Sequence, residues 1–262
     1  MLPVLFHIGS FPVRSFGVMI ALGLFVALMI VKRRSQKYHL SPDKIWDLFF
    51  WMMLFGILGA RLAYILTHLS EFKNAKELFT VQFEGLTSFG AVVLGLLTVL
   101  VWSKKQKLNP LLILDMLAVP ALFMHVFGRI GCFLNGCCYG GEVSHSFPLG
   151  VHFHHLEGFH HPTQLYDAGL TLCGALFLIL WERRKLHLGQ SISAAFLIYG
   201  LARFIHEFWR GGHQGSATYF LKLPLSDAQL VSLLIIFLAG TIYMYLGKRH
   251  LSSSHEFIRK TS

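Results

Sequence analysis

Arg61 in GILGARLAYIL, Arg129 in FGRIG and Arg203 in YGLARFIHEFWR each stand within an apolar segment. An arginine deep in a membrane-spanning helix costs at least about 2.5 kcal/mol, so it normally faces a polar cavity or a partner. Snorkelling to the interface would explain Arg129, near a segment end. An ion pair with Glu207, four residues on, would explain Arg203. Neither accounts for three cations from three separate segments. Guanidinium presents a planar fork of donors that matches phosphate oxygens and stays charged at any working pH. In a membrane the abundant phosphate belongs to lipid headgroups. The chemistry these residues suggest is therefore the binding of an anionic headgroup and the stabilisation of charge on its phosphate.

The stretch GRIGCFLNGCCYG surrounds Arg129 with glycines and adds Asn135 and three cysteines. Gly128, Gly131, Gly136, Gly140 and Gly141 would let backbone approach a headgroup closely. Helical spacing sets Arg203, Glu207 and Arg210 along one face. The cysteines at 132, 137 and 138 admit three readings. They serve as small packed residues at a helix end, form a disulfide on an oxidising side of the membrane, or bind a metal together with the histidines of VHFHH and FHH. The C-x4-CC spacing differs from that of zinc fingers, so packing ranks first, disulfide second and metal third, with the thiols expected close together. Cys173 falls mid-segment and reads as core. His125, His161 and His206 are candidates for a proton-accepting role.

The elements that must hold these side chains are membrane helices. The 262-residue chain is 54% hydrophobic and 14% charged, with a mean hydropathy of +0.57. Soluble domains carry nearly twice that charged fraction. Seven apolar stretches, roughly 15–31, 46–66, 87–102, 111–130, 164–181, 190–208 and 228–246, are long enough or nearly so to cross about 30 Å of hydrocarbon. The expected fold is all-α, one domain over residues 1–262 with seven transmembrane helices. No internal repeat divides it, which counts against a transporter. The first segment follows Arg14 and shows no small-residue cleavage site after it, so no signal peptide is expected.

The formal charge of +10 would suggest nucleic acid in a soluble protein. Here the cations cluster in short loops, so no nucleic-acid partner is expected. Fifteen of the 23 Lys and Arg fall on one side of the segments, in KRRSQKYHLSPDK, KKQK, RRK and the C-terminal tail. Five fall on the other, at Arg14, Lys73, Lys76, Arg210 and Lys222. The bias puts the N-terminus outside and the C-terminus in the cytoplasm.

These pieces together resemble the prolipoprotein diacylglyceryl transferase family. GRIGCFLNGCCYG is similar to its signature G-R-x-G-N-F-x-N-G-E. VRSFGVMIALG, GARLAYIL and TSFGAVVLG resemble its first three spans. HPTQLYD is close to H-P-S-Q-L-Y-E, and YGLARFIHEFWR to Y-G-x-x-R-F-x-x-E-F-x-R. The resemblance implies a multi-pass transferase of the bacterial inner membrane that needs no cofactor. Its partners would be phosphatidylglycerol, drawn from membrane lipid, and a prolipoprotein signal peptide bearing a lipobox cysteine. The resemblance implies catalytic roles for Arg129, Arg203, Glu207 and His161. It implies substrate-binding roles for Arg61, Asn135, Gly128, Gly131, Gly140, Gln164, Tyr166 and Arg210.

Three positions depart from the family pattern. Gly90 stands where S-F-H-G-G has its histidine, Phe16 where a tyrosine precedes the first-span glycine, and Cys132 and Cys137 where the signature has Asn and Glu. The phosphate-binding half is therefore kept while the proton-handling half is changed. Placing histidine at Gly90 is expected to preserve or raise activity. The alternative reading is a non-enzymatic relative that binds anionic lipid, or a redox or metal partner, through the Cys/His-rich outer loop.

Overall fold

The computed structural model describes residues 2–38, 40–69, 88–184, 186–210 and 225–261. Lys73, Lys76, Lys185 and Lys222, used above for orientation, lie outside the described residues. The apolar segments form α1 (Ser15–Lys37), α2 (Pro42–Thr67), α3 (Ser88–Lys105), α4 (Pro110–Asn135), α5 (Thr163–Trp181), α6 (Gln190–His206) and α7 (Asp227–Thr261). Five of them, α1, α2, α4, α5 and α7, are long and apolar enough to cross a membrane. The protein is thus a helical membrane protein. The other two, α3 and α6, have 18 and 17 residues.

An all-α expectation needs one amendment. Among the described residues there are two short antiparallel hairpins, β1 (Val4–Ile8) with β2 (Phe11–Arg14) and β3 (Glu142–Val143) with β4 (Phe159–His160). Both lie outside the apolar segments, where hydropathy carries no signal for strands this short.

The chain divides into two compact units, one of residues 1–31 and 115–262 and one of residues 32–114. In the smaller unit α2 begins with Pro42 in its first turn, where a missing N–H costs nothing. It packs on α3 through glycines. A Cβ built on Gly90 would run into the carbonyl oxygen of Gly59, and would lie 2.5 Å from the Ala63 Cβ. A Cβ on Gly59 would meet the Gly90 carbonyl in turn. The backbones meet here as small residues allow membrane helices to do. This overturns the expectation that histidine at Gly90 would be tolerated, because the position is filled by another helix. The Asp47 carboxylate on α2 accepts hydrogen bonds from Trp51 Nε1 at 3.0 Å and Trp102 Nε1 at 2.6 Å, tying the same two helices a second time.

The larger unit has its core where α4, α5 and α6 meet. Ala118, Val119 and Leu122 pack with Ala175, Leu178 and Ala195. Buried Asp115 of α4 caps α6 across the core. Its carboxylate accepts from the Gly189 N–H at 2.6 Å and the Ile192 N–H at 2.9 Å. Two N–H groups that no helix can satisfy internally, at the positive end of its dipole, thereby find an anion. Further along, α4 ends at Gly136, whose φ of +77° suits the residue after a helix.

Candidate active site

The carboxyl end of α4, the first turns of α5 and the end of α6 with the turn after it bring seven charged or polar side chains to one place. Arg129 Nε donates to Asp167 Oδ2 at 2.5 Å, and His125, one turn earlier on α4, lies 3.1 Å from the same oxygen. Asp167 is buried. From α6, Arg203 Nη2 lies 3.1 Å from Glu207 Oε2, and Arg210 Nη1 lies 3.7 Å from that oxygen. Glu207 is buried too.

His206 joins the two groups. Its ring is fully buried. Nδ1 lies 3.0 Å from the Ala202 carbonyl, which can only accept, so Nδ1 carries the hydrogen. Nε2 then accepts from Arg129 Nη2 at 3.1 Å and from Arg203 Nη1 at 2.8 Å. A neutral imidazole thus holds two guanidiniums at one point. It occupies the role of acceptor between cations, so the base suggested for it by the sequence is not the part it plays here.

The glycine-rich loop is fixed from the start of α5. Gln164 Nε2 donates to the Cys137 carbonyl at 2.6 Å, and Thr163 Oγ1 to the Cys138 carbonyl at 3.0 Å. The Gly140 N–H donates to His161 O and the Gly141 N–H to Trp209 O, at 2.8 and 3.0 Å. Gly140 is crowded by Thr163, His161 and the Trp209 carbonyl, and a Cβ on Gly131 would lie 3.0 Å from Phe16. At both positions the structure uses the missing side chain for close packing. Gly128 has only Ile20 near the space where its Cβ would stand, at 3.9 Å.

His161 Nδ1 lies 3.1 Å from the Tyr166 hydroxyl, and Tyr166 packs edge-on against Trp209. Burial pushes the His161 imidazole below its usual pKa, favouring the neutral ring. Asn135 is the last residue of α4, two positions before Cys137. Arg61 belongs to α2 in the smaller unit, with its Cζ 5.7 Å from the centre of the Tyr64 ring.

The three cysteines are free thiols, and their sulfurs lie within 4.8 Å of one another. Hydrogen bonds from the Cys132 and Cys137 thiols, with the charges of Arg129 and Arg210, pull the Cys138 thiol well below its usual pKa. Burial opposes that shift. Two of the histidines expected near them, His155 and His160, are engaged elsewhere. His160 sets its ring nitrogens 3.2 Å from Gly140 O and 3.1 Å from Glu157 O, and it packs with His155 around buried Tyr139.

Asp167 is the functional candidate that the sequence reading passed over. It is the single charged residue of α5, and that isolation in an apolar helix was the signal available.

A family model described as prolipoprotein diacylglyceryl transferase matches residues 3–245. A Clostridium tetani protein named phosphatidylglycerol–prolipoprotein diacylglyceryl transferase is 33% identical over 248 residues, 93% of this chain and 97% of its own. Relatives of the same name from Campylobacter curvus (35% identical, 95% of each chain) and Clostridium perfringens (transferase 1; 33% identical, 88% of this chain and 89% of its own) also align over most of their length. This chain belongs to the prolipoprotein diacylglyceryl transferase family.

Proposed function

We propose that this protein transfers the diacylglyceryl group of phosphatidylglycerol to the lipobox cysteine of exported prolipoproteins, as a seven-span enzyme of the bacterial inner membrane. A thiolate attacks the glyceryl carbon, the carbon–oxygen bond to phosphate breaks, and glycerol phosphate leaves with the electron pair. The names carried by the relatives support the substrates. One observation in this chain carries the reading. Arg129, Arg203 and Arg210 gather around two carboxylates, Asp167 and Glu207, with neutral His206 between them. The cluster therefore holds one uncompensated positive charge in a largely buried setting, which suits the single negative charge of a phosphodiester. As the bond breaks a second charge develops on the phosphate, and donors already fixed in place stabilise it without reorganising.

The test is transfer of labelled diacylglycerol from phosphatidylglycerol to a lipobox peptide, with rescue of cells depleted of their own transferase as the second arm. Loss of one preorganised donor typically costs about 10²–10³ in rate, and loss of a full charge no less. Arg129→Ala is expected to fall by that factor or more and to fail in rescue. Near-normal transfer by Arg129→Ala would remove the phosphate role.

A further inference from the structure

The phosphate cluster accounts for the leaving group. It leaves open how the incoming thiol, with an ordinary pKa near 8.5, becomes a thiolate. His206 is occupied as an acceptor between two arginines, and position 90, where the resemblance implies a histidine, is a glycine inside a helix contact. The three cysteines beside Arg129 are unused by the chemistry so far.

We propose that Cys132, Cys137 and Cys138 form a three-thiolate site for a thiophilic divalent cation of the zinc class, whose fourth position takes the acceptor cysteine of the substrate. The proposal rests on the transferase reading above. The geometry meets what such a site needs. Three sulfurs around zinc at about 2.3 Å would stand about 3.8 Å apart. Here they already lie within 4.8 Å, so closing on an ion needs about 1 Å of movement.

The loop that carries them is held from several sides. The Cys137 N–H donates to the Cys132 carbonyl at 3.1 Å. Gln164 and Thr163 hold the carbonyls of Cys137 and Cys138. Cys138 sits at φ +65°, a left-handed conformation rare for a side-chain-bearing residue and kept here by those contacts. Tyr139, next in the chain, is buried against Phe153 and His160. A site fixed in this way binds a metal without first ordering its ligands.

The ligand count points to substrate activation. Structural zinc sites close with four protein ligands, whereas three ligands and one open position mark a catalytic site. Among the described residues no histidine or carboxylate completes a fourth corner within the same reach. Three thiolates around a divalent cation carry one net negative charge. Arg129, three residues before Cys132 on α4, interacts electrostatically with Cys132 and Cys138, so the site lies beside the phosphate cluster. The sequence ranked metal last because C-x4-CC is an unfamiliar spacing. The structure gives the reason that spacing works, since the helix end at Gly136 turns the chain so that Cys137 and Cys138 come back to Cys132.

The step balances without an oxidant. The acceptor thiol loses its proton to water as its sulfur binds the cation, since a coordinated thiol is deprotonated. That sulfur attacks the glyceryl carbon, and the carbon–oxygen bond to phosphate breaks with its electron pair going to the phosphate oxygen. The product is a neutral thioether, a weak ligand that leaves the fourth position free.

The experiment uses the full chain in lipid nanodiscs, with zinc and cobalt(II) as the probes. Elemental analysis is expected to find about one zinc per chain, held against a weak chelator and lost from Cys132→Ser, Cys137→Ser and Cys138→Ser but not from Cys173→Ser. Cobalt(II) titrated into the metal-stripped chain is expected to give sulfur-to-metal charge-transfer absorption, which shifts on adding a lipobox peptide with cysteine and stays unchanged with a serine peptide. Absent charge-transfer absorption overturns the site, as does a Cys132–Cys137 or Cys132–Cys138 disulfide that excludes metal. A cobalt spectrum indifferent to the cysteine peptide overturns the open position. These readouts are independent of turnover. Arg129→Ala is expected to keep the metal while losing transfer; failure of the transferase reading shows instead as a wild-type chain without transfer whose spectral response is intact.

Discussion

His206 decides how the cationic residues are held. With Nδ1 committed to Ala202 O, its one lone pair serves both Arg129 and Arg203. His206→Ala would leave two largely buried guanidiniums without that acceptor, and an unsatisfied buried polar group costs about 1–3 kcal/mol, more when charged. His206→Gln retains an amide oxygen to accept and an N–H to donate. Purified variants are expected to melt in the order wild type, then Gln, then Ala, with transfer activity falling in the same order. Equal melting of the Ala variant and wild type would remove His206 from this role. Arg203, Glu207 and Arg129 were legible in the sequence because charge inside an apolar segment needs a reason. Asp167 carried the same signal and was passed over. The role of His206 was not legible, because the spacing that suggests a base cannot tell which groups its nitrogens meet.

At the level of helices, the contacts that matter are those where side chains are missing or charges are shared. Gly90 and Gly59 set the separation of α2 and α3. Overpacking a filled contact typically costs about 1–3 kcal/mol, and histidine adds far more volume than a methylene. Gly90→His is expected to lower the melting temperature and the yield of folded protein, and Gly90→Ala to do so more mildly. A Gly90→His protein as stable as wild type would show that the helices can part. Asp115→Ala removes a buried carboxylate from two N–H groups at the start of α6. Its expected cost is about 1–3 kcal/mol, read as a lower melting temperature, with Asp115→Asn intermediate. The positions of the helices were legible from hydropathy. Their pairing was not, because glycine reads alike as a flexible loop residue or as a point of close contact. The two hairpins escaped notice for a different reason: strands this short have no periodicity to read.

For the whole molecule, topology follows from the helices and the cations between them. Seven helices occupy the seven apolar segments, and five have the length and hydropathy of a span. The asymmetry of Lys and Arg supports an external N-terminus and a cytoplasmic C-terminus. A reporter joined after Ser262 that is active only in the cytoplasm is expected to be active, and one inserted between Ser144 and Ser146 that is active only outside is expected to be active as well. Opposite results would invert the assignment and move the cysteine loop to the cytoplasm.

The way the buried charges are paired also bears on how the chain enters the membrane during synthesis. Of the helices that carry this cluster, a translating ribosome delivers α4 first, with Arg129 leaving the insertion channel for lipid. The next helix, α5, brings Asp167, whose one charge cancels it. Then α6 and the turn after it emerge with Arg203 and Glu207 already paired four residues apart. These two charges are thus matched in neutral couples, each completed within one or two helices of its start, so Arg129 stands unmatched only during the interval between α4 and α5. Replacing Asp167 with a neutral residue lengthens that interval to the end of the chain, and its first effect would fall on the yield of inserted protein, before any substrate is met.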